Sequence, residues 1–239
     1  MSALTGDTEV FTHGEASGRC VVMFLSRRQD EWRRHCSDAT AASLADTLTA
    51  LGAEGWRLSI RGMFDPRDSK PTALDTGFAH DVDMAGVFEA PSLTAAVAGT
   101  VRLERAGWER YFATEWLIGP REFATVNGAG GAHSRPWGFL ALWEWNDAWA
   151  AATPATRAEY DLECDVAFKG DLALGINIAG RHRLDWAHSW HHLGAWEAAS
   201  PEAIDKAITG HEHARDFMFT TSRHLVGPVR PITHFLQAS

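Results

Sequence analysis

The stretch "RLDWAHSWHHLGAWEA", Arg183 to Ala198, puts three histidines and three tryptophans into sixteen residues, and eight of the chain's 12 histidines lie between His182 and His234. Imidazole titrates near neutral pH, so it serves as base, acid or metal ligand without a large pKa shift. Further on, His211 and His213 stand two apart in a helical pattern, and His224 follows Arg223. Such a set suits three chemistries: a transition metal on imidazole nitrogens, proton transfer in an aromatic pocket, or a flat ligand held between indoles.

The rest of the composition narrows the setting. At 239 residues and 45% hydrophobic, the chain can build one large domain or two small ones. Cys20, Cys36 and Cys164 are odd in number and form no CxxC pair, so neither a disulfide framework nor a thiolate zinc site is expected, which suits a reducing cytoplasm. The start "MSALTGDTEVFTHGEASGR" has no basic segment leading into an apolar one, and no apolar run approaches about 18 residues, so a cytoplasmic protein that does not span a membrane is expected. A net charge of -9 without a basic stripe argues against nucleic acid. The expected partner is a small-molecule substrate, with a homodimer left open.

These residues belong to a repeat. Shifting the sequence by 108 positions aligns Ala79–Pro120 with Ala187–Pro228 without a gap, and 12 of 42 positions are identical, among them His80/His188, Gly86/Gly194, Glu89/Glu197 and Pro120/Pro228. Each copy reads strand, helix, strand, strand, helix, strand. In the first copy the leading elements are Arg19–Ser26, Thr40–Leu51 and Arg57–Phe64, and in the second Trp137–Trp145, Thr156–Lys169 and Ile176–Arg183. A strand from Val82 or His188, a helix and a last strand closed by Gly-Pro follow in each. The expected organisation is a tail over 1–18, a scaffold unit over 19–123, a Gly-rich linker over 124–136 and a functional unit over 137–239.

Positions that change chemical type between copies are the candidates for function. Val82, Asp83 and Met84 become Trp190, His191 and His192; Leu103 becomes His211; Glu115 and Trp116 become Arg223 and His224. At about 100° per residue, His211 shares a helix face with Ile204, Ala207, Ile208, Ala214 and Met218, so it points inward. Strand alternation groups His191 and Arg223 with the small or aliphatic Leu193, Ala195, Leu225 and Gly227. Taking that side as helix-facing sets them against His211, with a gap at Ala195 and Gly227. His188, His192, Trp190, Trp196 and His224 then face the other way, into the interior between sheets. "FLALWEWNDAW" reads as core or dimer contact.

The doubled pattern resembles the dimeric α/β-barrel superfamily. The resemblance implies an α+β chain of two tandem ferredoxin-like units forming an α/β barrel with antiparallel sheets. "SPEAIDKAITGHEHARDFMF" is similar to the helix that carries the heme ligand in the aldoxime dehydratase type, a relative of the chlorite dismutases. That implies heme b between sheet and helix of the second unit, with His211 on iron by periodicity, or His213 by spacing to the final Phe. It also implies Arg223 and His191 opposite. Arg181 and Arg183 share one side of their strand, where they would neutralise carboxylates of a substrate or of heme propionates or else lie on the surface. The activity would be a heme-dependent dehydratase, peroxidase or oxygenase. A second expectation is an iron, copper or zinc ion on His188, His192 and His224, or the same histidines acting without a cofactor as a monooxygenase, isomerase or cyclase. A third is a non-catalytic small-ligand-binding protein.

Overall fold

The computed structural model describes residues 10–11, 18–29, 37–131 and 133–237; most of the expected tail and Cys36 lie outside them. The strands are β1 (Cys20–Arg28), β2 (Thr72–Asp75), β3 (Met84–Ala90), β4 (Phe112–Pro120), β5 (Trp137–Trp145), β6 (Asn177–Arg183), β7 (His192–Ala198) and β8 (Thr220–Pro231). The helices are α1 (Asp38–Ala53), α2 (Ile60–Phe64), α3 (Leu93–Leu103), α4 (Asp147–Ala151), α5 (Pro154–Ala173), α6 (Pro201–His213), α7 (Asp216–Phe219) and α8 (Ile232–Phe235). A π turn, Glu104–Trp108, and a further helical turn, Glu109–Tyr111, prolong α3. Ser92 and Ser200, aligned in the repeat, cap α3 and α6 by accepting from Ala95 N and Ala203 N.

The strands form one antiparallel sheet in the order β4-β1-β3-β2-β8-β5-β7-β6. Each half therefore runs fourth-first-third-second, which is the ferredoxin-like order. The expected barrel is not closed. β2 and β8 join the halves through Thr72↔Pro231, Ala73↔Arg230 and Leu74↔Val229. At the far ends β4 and β6 share no ladder; beyond Pro120, which has no N–H to give, the isolated bridges Arg121↔His182 and Val126↔Ile178 span the gap. Strand boundaries also depart from expectation, and β3 and β7 begin at Met84 and His192, later than Val82 and His188. Arg57–Phe64 ends in α2, because Ser59 caps a turn through Gly62 N, and β2 lies instead between Phe64 and Val82. β8 runs past Pro228 because its last residues pair with β2.

Two faces of apolar packing position the site. Val21, Met23, Leu25, Val87 and Leu117 of the first half meet Leu140, Leu142, Leu193, Ala195 and Leu225 of the second in a core between the two four-stranded halves of the sheet. The outer faces carry the helices. In the first half Phe24, Phe88, Trp108 and Leu103 pack with Leu44 and Leu48. In the second, Phe139, Trp196, Ile204 and Ala207 pack with Phe168. The sequence-based faces are thus exchanged. Leu193, Ala195 and Leu225 are small and aliphatic because the two halves of the sheet must approach closely there, and His192, Gly194, Trp196 and His224 look toward the helices.

Two polar devices tie the halves together. His80 Nε2 accepts from Val226 N at 3.0 Å, and its repeat partner His188 accepts from Ile118 N at 3.4 Å. Ile118 and Val226 are themselves aligned in the repeat, so this pair is architectural. Glu89, fully buried, receives Arg19 at 2.5 Å, Arg57 at 3.0 Å and Arg121 at 2.5 Å, while Arg121 also donates to the carbonyls of Phe123 and Ala179. Burial alone would raise the Glu89 carboxyl, but His182 at 3.9 Å and the arginines outweigh it and hold it well below the usual carboxylate range.

Candidate functional site

A cavity of about 680 Å³ lies between the second half's sheet and its helices. Its walls are aromatic: Phe139, Trp143, Trp145 and Trp196 from the sheet, with Trp149 and Phe168 from α4 and α5. Trp145 and Trp149 stack at 4.2 Å with 17° between their planes. Phe11 also lines it, packing edge-on to Phe168 at 4.8 Å. The stretch "FLALWEWNDAW" is core, as its pattern suggested, with Phe139, Leu140, Leu142 and Trp149 buried, and Trp143, Trp145 and Trp149 also form pocket wall.

The first half explains the opening. Phe24 pairs across the sheet with Gly86, and its ring occupies the space above that glycine, where an added Cβ would come within 2.3 Å of it. Phe24, Phe88, Trp108 and Trp116 interlock there at centroid distances of 4.8 to 5.7 Å. The matching register pair in the second half is Ala141↔Gly194. Repeat alignment turns Phe88, Trp108 and Trp116 into Trp196, Asp216 and His224. A solid aromatic plug in one copy is a cavity with titratable walls in the other.

Three histidines line this cavity, His192, His211 and His224. His211 is where helix periodicity puts it, buried on α6, which ends before Met218 because Arg215 adopts a left-handed φ of 62°. Its Nε2 lies 3.0 Å from Asp171 Oδ2 and its Nδ1 3.1 Å from Asp216 Oδ2. Asp216 also accepts from the Tyr160 hydroxyl. Burial would depress this imidazole, but the two carboxylates outweigh it and push its pKa up to about 9, so His211 is a cation at neutral pH.

His192 sits on β7 with Nδ1 3.3 Å from Glu122 Oε2, an ion-pair separation without hydrogen-bond alignment. Burial keeps its pKa below the ordinary value despite that neighbour. Burial acts oppositely on Glu122, but His192 and Arg181 outweigh it and hold the carboxyl at about 2. Arg181 gives its Nε to Glu122 at 2.7 Å and covers the Phe123 ring. His224 packs against Phe139 at 5.0 Å and Phe217 at 5.7 Å, and among the described residues no polar side chain pairs with it. Burial lowers its pKa as well.

The other expected site residues lie elsewhere. His191 precedes β7, and its Nδ1 accepts from Trp145 N at 3.2 Å. Arg223 reaches Asp81 of the first half at 2.8 Å. Ala195 is buried between the two halves of the sheet, and Gly227 leaves no gap, since a Cβ there would meet the Asp75 carbonyl at 2.3 Å. His213 is exposed at the end of α6. His188, bound to Ile118, does not join His192 and His224, and among the described residues no three His, Cys, Asp or Glu are spaced to hold a metal ion. No described helix is long and apolar enough to cross a membrane.

No protein-family model matches the sequence, and no curated protein matches it. Solved structures do match. A mutant chlorite dismutase from Candidatus Nitrospira defluvii superposes with a TM-score of 0.72 at 14% identity, covering 92% of this chain and 94% of that one. The chain has the chlorite dismutase fold. The same enzyme in complex with imidazole superposes with a TM-score of 0.67 at 15% identity, over 92% of this chain and 94% of that one. Its cyanide complex, in another mutant, gives 0.66 at 14% identity over 96% and 97%. In a chlorite dismutase fold the aromatic cavity, between sheet and helix of the second half, is the region where the resemblance places heme. His211, the ligand that the resemblance implies, does not match that group. A nitrogen that binds iron must offer its lone pair to it, and both ring nitrogens of His211 face carboxylates.

Proposed function

We propose that this chain is an enzyme that moves a proton on a flat, largely aromatic small molecule bound in the second-half cavity, without heme. The observation that carries this is the conversion of the first half's aromatic plug into a cavity walled by indoles and by histidines of opposite charge state. A volume of about 680 Å³ is in the range of small-molecule sites. Groups whose surroundings push their pKa values apart are the usual acid and base assignments. His224, neutral and paired with no described polar side chain, takes the proton. His211, held as an imidazolium, spends both N–H groups on Asp171 and Asp216 and so fixes the wall that carries them, while Arg181 in the same cavity stabilises the negative charge left on the substrate. The imidazolium formed on His224 then returns that proton to another atom of the same molecule, which is the balance of an isomerisation or cyclisation, while His192, neutral beside Glu122, lines the cavity as a hydrogen-bonding partner.

This assignment fixes the pH dependence. His224 must be deprotonated, so kcat/KM rises with pH through a value below about 6.5. His211 must stay charged, so kcat/KM falls again as pH passes about 9. A profile flat from pH 5 to 10 would contradict both roles. Binding is tested by titrating polycyclic phenols, anthraquinones and flavones against indole fluorescence, with saturable quenching expected. Adding heme b to the purified protein should give no intense band at the blue edge of the visible that depends on a cavity histidine. Such a band, abolished by His224→Ala or His211→Ala, would overturn the heme-free assignment and install iron chemistry in the same pocket.

A further inference from the structure

A second cavity, about 430 Å³, opens between the halves beside Glu197. Glu197 is the repeat partner of Glu89, and the sheet registers show what stands around each. In the first half Arg19 precedes Cys20, which pairs with Ala90; Arg57 bridges Glu89; Arg121 follows Pro120. The matching positions in the second half are Pro136, Asn177 and Val229, because Trp137 pairs with both Ala198 and Pro228, and Asn177 pairs with Glu197. Three arginines have become proline, asparagine and valine. Pro136, Val229 and Glu197 all line the cavity.

The carboxylate is nevertheless as buried as its partner, with a side chain 4% exposed. Asn177 donates to Oε1 at 2.6 Å, and Arg61 reaches the same oxygen at 2.5 Å. No described group bonds to Oε2, whereas both oxygens of Glu89 are taken. Arg135, also in the wall, spends its N–H groups on the carbonyls of Ala129, Gly131, His133 and Gly175. Lys70 lies near Asp68, whose carboxylate accepts its backbone N–H at 3.1 Å. Consistent with missing cations, burial raises the Glu197 carboxyl, opposite to the shift at Glu89.

We infer that this cavity is a second ligand site, separate from the aromatic pocket, which binds an organic cation of the amine or guanidine class on Glu197 Oε2, in the place the first half fills with its own arginines. A buried carboxylate gains most from a partner that both carries charge and donates a hydrogen bond.

Calorimetric titration with agmatine and n-butylamine tests it, with butyrate as the anionic control. Saturable binding of agmatine or the amine, but not of butyrate, is expected. Val229→Arg, which restores the first-half residue, should weaken that binding at least tenfold. Glu197→Gln should do the same and decides the matter if Val229→Arg fails to fold by circular dichroism. No saturation with either cation at 10 mM, preference for butyrate, or unchanged binding in a folded Glu197→Gln protein would each overturn the inference. The aromatic-pocket titration is unaffected by any of these outcomes.

Discussion

Glu89→Gln should lower unfolding free energy by about 3–5 kcal/mol in urea titrations, the cost of breaking a buried ionic cluster by removing one partner. The substitution keeps the shape but leaves Arg19, Arg57 and Arg121 facing one another around a neutral amide. Arg121 matters most, because it also holds the Phe123 and Ala179 carbonyls, and so joins the first half to β6 where no ladder closes the sheet. The effect has a defined pH sign. Glu89 titrates below its unfolded value of about 4.3, so its contribution is complete above that pH and is lost as pH falls through the folded-state value. The difference between wild type and variant should narrow under acid. A loss below about 1 kcal/mol at pH 7 would mean that the cluster is not what joins the halves.

His224→Ala should reduce turnover of a bound substrate by about 10²–10⁴, the usual contribution of a positioned base. KM should change far less, because the cavity's contact area comes from Trp143, Trp145, Trp149 and Trp196. Added imidazole should restore part of the rate in the space the side chain vacates, and the acid limb of the pH profile should disappear. His191→Ala is the contrast: that ring caps Trp145 N outside the cavity, so turnover should stay within a few-fold. Equal losses in both variants would show that the two act only through packing.

Much of this molecule was legible in the repeat. The doubled strand-helix order and the inward aim of His211 follow from spacing alone. The identical pair His80/His188 is architectural, as likeness between copies suggested. The faces of β7 and β8 were not legible. Alternation splits a strand into two sets without saying which set a helix covers, and here the smooth aliphatic set met the other half of the sheet. His191 differs from expectation because β7 begins only at His192, so alternation does not reach it, whereas Trp190 packs against the core between the halves as expected. The cavity itself had a signal that went unread. Trp108 to Asp216 lay inside the aligned window, and together with Phe24 to Ala141, which needs the register of β1 and β5, it marks removal of a plug.

That removal suggests the most direct measurement. Ala141→Phe puts back the ring that fills the same place in the first half, opposite Gly194 instead of Gly86. With far-ultraviolet circular dichroism matched to wild type, quenching of indole fluorescence by the best polycyclic phenol should weaken by at least a hundredfold, while agmatine binding beside Glu197 is unchanged. A folded Ala141→Phe protein that binds the phenol as tightly as wild type would place the ligand elsewhere and contradict the account.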